Sequence, residues 1–218
     1  MNEYLFRILL MVPIALISLS LHESAHGYVS YKLGDPTARN LGRITLNPLK
    51  HFDIFGFICM VLARVGWAKP VPVDPRYYKN PRTGMALTAA AGPVSNLLLA
   101  FLGVFGAELS YRWVIDLTLG GGNAALAITV FNFFYYLAIS NISLAVFNLI
   151  PVPPFDGSRI VYVFLPPKYY FGIMKYERYI MIAVLVLVYI GVFDGPLGFA
   201  MQSIYNGMAW LINLLPIF

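Results

Sequence analysis

A His-Glu-x-x-His pentad, His22-Glu23-Ser24-Ala25-His26, continues directly from an uncharged apolar run that extends from Ile8 to Leu21. Residues four apart share one face of a helix, so both imidazoles can reach a single zinc ion. Glu23, one position along, then addresses the water beside that ion. The chain therefore has to fold so that metal chemistry and a lipid-embedded helix coincide.

Composition supports the lipid half of this reading. Hydrophobic residues make up 59% of the 218 positions and charged residues 11%, against about 25% charged in soluble domains. This balance defines an integral membrane protein in contact with a lipid bilayer. The single cysteine, Cys59, forms no internal disulfide and fits no cysteine-based metal pattern, which leaves it a packing role. The net charge of +5 is unevenly spread, with nine of the 15 Lys and Arg between Lys32 and Arg82. That concentration reads as membrane topology and not as a nucleic-acid surface. Near the N-terminus, Glu3 offsets Arg7 and no small-residue cleavage site precedes the pentad. The first helix is therefore expected to be an uncleaved anchor that keeps the pentad.

The expected fold is an all-α polytopic membrane protein with about five transmembrane helices and a short re-entrant or β-like segment on the cytoplasmic side. Four spans stand out, Leu5 to Tyr31, Gly84 to Ala107, Ala124 to Leu149 and Tyr179 to Phe193, set against the ~20 residues a bilayer requires. Pro196 to Phe218 is a fifth candidate. No internal repeat or separate polar domain is visible, so residues 1–218 read as one domain, with a catalytic core over 5–159 and C-terminal helices over 160–218. Between the first two spans, Leu41 to Leu46 alternates like a short strand, and Ile54 to Ala63 is apolar but too short to cross. Trp67 to Val73 contains Pro70 and Pro72, which exclude a helix and suit either an edge strand able to pair with a peptide or an ordinary surface loop. The positive-inside rule makes the first and third loops cytoplasmic. His22 then lies roughly 15 Å inside the cytoplasmic end of its helix, counting 1.5 Å per residue to Lys32.

A catalytic zinc takes three protein ligands and keeps one position open. Position 32 is Lys32, and the next glutamate after Glu23 is Glu108, on the opposite side, so the common soluble patterns fail. Asp156 follows the third span on the same side as the pentad, within Pro151-Val152-Pro153-Pro154-Phe155-Asp156-Gly157. Prolines there stop a regular helix, and freed backbone groups at membrane depth need a protein cavity beside them. His51, near Asp53, is the competing third ligand. Asn141 and Asn148, seven apart, share a helical face, with helix-to-helix hydrogen bonding the plainer role for Asn141. Gly92-Pro93-Val94-Ser95-Asn96 in the second span reads as a close-packing site.

Taken together, these motifs resemble the site-2 protease family of intramembrane zinc metalloproteases, in which the pentad is joined by N-x-x-P-x-P-x-x-D-G from another helix. Asn148, Pro151, Pro153, Asp156 and Gly157 match the second motif, and the Gly92 to Asn96 and Gly42 to Pro48 stretches are also similar. The resemblance implies one Zn2+ per chain on His22, His26 and Asp156. It makes Glu23 the general base and gives Asn148 a hold on substrate or oxyanion. It implies cleavage of transmembrane protein substrates near the cytoplasmic side of a bacterial or archaeal membrane. Phe155 stands where many members have leucine, and the PDZ or CBS domains of many members are absent. No helix precedes the pentad to gate it, so the last helices or a regulatory membrane partner would do so. The rival readings are a metal transporter, which Glu23 and the broken helix weigh against, and a non-catalytic binder of membrane helices.

Overall fold

The computed structural model describes residues 3–54, 56 and 68–215, and all the regular structure it describes is helical. Helix α1 covers Glu3–Lys32 and α2 is a single turn at Thr37–Asn40. Two long helices follow, α3 over Pro81–Leu119 and α4 over Ala125–Asn148. Beyond them come α5 at Asp156–Val161, α6 at Pro167–Met174, α7 at Glu177–Tyr189 and α8 at Asp194–Asn213. Three of these, α1, α3 and α4, are long and apolar enough to cross a membrane.

The distribution of side chains is inverted relative to a water-soluble bundle. Large apolar residues such as Leu9, Leu98, Leu102 and Leu126 are exposed, whereas the buried positions hold small or polar groups, among them Ala89, Ala100, Ala138, Ser18, Asn96 and Asn141. Lipid is as apolar as leucine, so helices in it associate through close packing and interhelical hydrogen bonds, and small residues let backbones approach. The α3–α4 pair shows this most clearly. A methyl group at Gly103 would lie 2.6 Å from the Ala138 backbone nitrogen and 2.9 Å from its Cα. Helix α8 packs on the same pair, with Ile212 fully buried against Val104 and Ala138.

Several sequence expectations change. The second span, expected to end at Ala107, continues as helix to Leu119. At 1.5 Å per residue it is roughly 58 Å long, nearly twice the ~30 Å hydrocarbon core. Charged Glu108, Arg112 and Asp116 end the apolar run but not the helix, which carries on with an N-cap at Asn80 and a terminating glycine at Gly120. The fourth expected span is a shorter helix, Glu177–Tyr189, of 13 residues. The β-like expectation is not met, for no strand occurs among the described residues. Leu41 to Leu46 forms turns and bends, because the Arg43 Nη2 donates to the Lys69 carbonyl at 2.7 Å and holds the backbone in a compact loop. Residues 68–74 likewise carry no ladder. Most of Ile54 to Ala63, together with Cys59 and Trp67, lies outside the described residues.

Replacing Gly103 with alanine should cost about 1–3 kcal/mol, because the methyl meets backbone that cannot rotate away. Gly207 in α8 has nothing within 4 Å of an added Cβ, so Gly207→Ala is the control. Thermal unfolding of the two variants in detergent checks this, and equal midpoints would contradict the packing described.

Candidate active site

Helix α1 presents His22 and His26 on the face that meets α3, with ring centroids 4.6 Å apart. The opposing face of α3 carries Thr88, Gly92 and Asn96, each four residues from the next, so all three point at the imidazoles. The His22 Nδ1–H donates to Asn96 Oδ1 at 2.5 Å, and the His26 Nδ1–H donates to the Thr88 carbonyl at 2.7 Å. Both acceptors fix the tautomer, leaving each Nε2 with a lone pair and no hydrogen. Gly92 makes this approach possible, since a Cβ there would lie 2.5 Å from His22 Cε1 and 2.6 Å from His26 Cε1.

Asp156 supplies the third donor from the first residue of α5. Its Oδ2 lies 3.2 Å from His22 Nε2 and 3.3 Å from His26 Nε2, and the two Nε2 atoms are 3.0 Å apart. This carboxylate oxygen is buried and has no hydrogen-bond partner among the described residues. An orphaned anionic oxygen facing two aprotic nitrogens is a site that requires a cation. Donors about 2.0–2.1 Å from a tetrahedral ion stand roughly 3.3–3.4 Å from one another, close to the spacing observed. Two imidazoles and a carboxylate suit zinc among divalent ions.

Asn96 does more than pack. Its Nδ2 donates to Asn141 Oδ1 at 2.8 Å, and Asn141 Nδ2 donates to Ser18 Oγ at 2.8 Å and to the Leu137 carbonyl at 2.8 Å. A single polarised chain thus runs from His22 through α3 and α4 back to α1, with Asn96 and Asn141 fully buried. Asn96, expected to be part of a close-packing site, is thus also the hydrogen-bond partner that orients His22. An asparagine two turns from the pentad's helix partner has no local signature, although an amide inside a span is itself a signal.

Glu23 projects to one side of the donors, where its Oε2 accepts from the Val71 N–H at 2.7 Å. Residues 68–74 form the loop alternative and no strand, and the Val71 N–H is taken up by the Glu23 carboxylate. A cavity of about 160 Å³ is bordered by His22, Glu23, His26, Asp156, Asn148 and Arg159, together with Val71 and its neighbours. Asn148 lies in this wall with one amide N–H donating to the Leu144 carbonyl at 2.9 Å. His51 is elsewhere, with its Nε2–H donating to the Thr45 carbonyl at 2.8 Å, so the geometry gathers His22, His26 and Asp156 without it. Asp53 accepts from the Gly56 N–H at 2.7 Å.

Three aprotic donors and an adjacent carboxylate, set on helices that face lipid, define a membrane metallohydrolase. Comparison with known proteins gives the family. The model of peptidase family M50 matches residues 113–193, which include Asp156. YwhC of Bacillus subtilis, provisionally named a zinc metalloprotease, is 41% identical over 202 residues, covering 91% of this chain and 88% of that protein. Rip2 of Mycolicibacterium smegmatis, named in the same provisional way, is 25% identical over 178 residues, 79% of this chain and 64% of its own. Rip2 of Mycobacterium tuberculosis is 27% identical over 178 residues, with 79% and 63% covered. No solved structure matches. The chain belongs to peptidase family M50, the site-2 protease family.

One divalent ion per chain is expected on the purified protein, measured by elemental analysis. Asp156→Ala and Gly92→Ala should lose it, and Asn96→Ala should weaken binding by roughly 10- to 100-fold, as removal of an outer-shell partner does. His51→Ala should keep it. Full metal on Asp156→Ala with loss on His51→Ala would overturn the assignment of the third ligand.

Proposed function

We propose that the protein is a zinc metalloendopeptidase that hydrolyses peptide bonds within or near the transmembrane segments of other membrane proteins. The observation that carries this reading is the joint placement of His22, His26, Asp156 and the Glu23 carboxylate around one small cavity built by membrane-type helices. Zinc held there would supply a Lewis acid that polarises a carbonyl and would bring the pKa of water down to about 7.

The chain's own residues do the rest. Glu23 is the general base. Its Oε2 is held by the Val71 N–H, which leaves Oε1 to take the proton of the attacking water and return it to the departing nitrogen. Asn148 keeps one amide N–H on Leu144 and offers the other to the substrate carbonyl as charge develops on its oxygen. The cavity admits an unwound segment and not an intact helix, whose peptide bonds are shielded by side chains and hydrogen-bonded within it. Membrane substrates must therefore unwind locally before cleavage.

The wider arrangement in this proposal has about five spans, with α8 packed on α3 and α4 and α7 preceding it. The proposed site faces the cytoplasmic side of a bacterial or archaeal membrane, an orientation supported by the basic loop that follows α1. Substrates are transmembrane proteins, with access controlled by the last helices or by a regulatory membrane partner. Regulated intramembrane proteolysis is the process such an enzyme serves.

Glu23→Gln should retain the fold and the zinc, because the glutamine oxygen can still accept from Val71, while hydrolysis falls by at least ~100-fold for want of a proton acceptor. The measurement is a comparison of membrane-protein fragments between cells carrying the wild type and the variant, paired with zinc content of both proteins. Turnover within about tenfold of wild type would remove the general-base role.

A further inference from the structure

The buried carboxylate of Asp35 takes no part in the chemistry above, yet it stands at the end of two routes into the site. Each is made of hydrogen bonds joined through a covalent stretch, Thr88 itself on one and the backbone from Asp74 to Val71 on the other. Asp35 follows α1 by three residues, is fully buried and makes no ion pair among the described residues. Its Oδ1 accepts from the Thr37 N–H at 2.9 Å, and its Oδ2 accepts from the Ser30 hydroxyl at 2.7 Å and from the Asp74 N–H at 2.8 Å. Burial pushes this carboxyl up, and the hydrogen bonds from Thr37, Asp74 and Ser30 outweigh it, so the group sits below the ordinary carboxylate value. An ionised carboxylate is acceptor-only, and that fact sets the direction of every hydroxyl beyond it.

On the first route, Ser30 spends its hydrogen on Asp35, so its oxygen can only accept, and the donor at 2.7 Å is the Tyr78 hydroxyl. Tyr78 in turn accepts from the Thr88 hydroxyl at 3.1 Å. Thr88 is the residue whose carbonyl receives the His26 Nδ1–H. On the second route, the Asp74 N–H anchors one end of the 68–74 segment to Asp35. The other end is tied by the Lys69 N–H to the His51 carbonyl at 2.9 Å. Midway between the ties lies Val71, whose N–H holds Glu23.

We infer that Asp35 is a positioning residue of the active site, one carboxylate that orients the metal-ligand ring of His26 through Ser30, Tyr78 and Thr88 and the base Glu23 through Asp74 and Val71. The inference rests on the proposed hydrolase reading for its second route only. The first route is tested by metal binding alone.

Two variants separate the routes. Tyr78→Phe keeps the ring and cuts the route to His26, leaving Asp74 untouched. Asp35→Asn puts an amide where one of the N–H or hydroxyl donors must go unpaired, and it affects both. Zinc affinity of each purified protein is read by competition with a chelator, alongside the absorption spectrum of the cobalt(II)-loaded form, which reports ligand geometry. Each single variant should bind zinc about tenfold more weakly and shift the cobalt spectrum. The double variant should be no weaker than Asp35→Asn, because both changes break one chain. Zinc affinity within about twofold of wild type for Tyr78→Phe, with an unchanged cobalt spectrum, would overturn the His26 route even if Asp35→Asn does not fold. For the Glu23 route, kcat toward a reporter membrane protein cut by wild type and spared by Glu23→Gln should fall further in Asp35→Asn than in Tyr78→Phe, at unchanged KM. Equal kcat in the two would overturn it. If the wild type cuts no reporter, the hydrolase reading fails while the metal measurements still decide the first route.

Discussion

Two imidazole nitrogens and one carboxylate oxygen, none carrying a hydrogen toward the others, stand about 3 Å apart in the buried heart of this chain. Without a cation the arrangement is repulsive, and a cation held between the three donors would make it attractive. The rest of the bundle is organised around holding these atoms still. Each imidazole is pinned at its far nitrogen by an acceptor on α3, which raises its basicity as a ligand and fixes its plane. The prolines after α4 deliver Asp156 to the same point from the other side.

Because lipid gives no hydrophobic reward for helix association, the spans need other reasons to stay together. The polar chain from His22 through Asn96 and Asn141 to Ser18 supplies one, since any of its members exposed to hydrocarbon would go unsatisfied. Small residues at Gly92 and Gly103 supply another by allowing the backbones to close. Site and scaffold therefore depend on each other. The hydrogen bonds that orient His22 are also bonds between α1, α3 and α4, so a substitution at Asn96 acts on stability and on metal binding together.

Much of the site was legible because its chemistry is local in sequence. The four-residue spacing of His22 and His26 and the proline-broken run before Asp156 are short patterns with few other uses. The outer partners escaped because they arise from pairing of residues far apart, 74 positions in the case of His22 and Asn96. Nothing in the composition around Tyr78 or Asp35 marks them, whereas Asn96 carries the signal of an amide inside a span. The limits of α3 were misplaced for a different reason: apolar character ends where the membrane ends, whereas a helix ends where its hydrogen bonds do. Leu41 to Leu46 alternates with period two over only six residues, too few to outweigh a buried arginine that gathers the loop backbone.

The loop between the first two spans is consequently more than a connection. Its 68–74 stretch is tied at Lys69 to His51, gripped at the Lys69 and Pro70 carbonyls by Arg43 and anchored at Asp74 to Asp35. Those restraints fix the height at which the Val71 N–H meets Glu23, and with it the direction of the free carboxylate oxygen. A glutamate on a helix has three rotatable bonds and would otherwise sample many positions, losing rotamer entropy each time it reached the productive one. Held by a backbone donor, it has given up part of that freedom in the resting protein, which in the proposed mechanism would orient it before substrate arrives. The pentad supplies the groups, but their geometry is set by a loop that shares no motif with it.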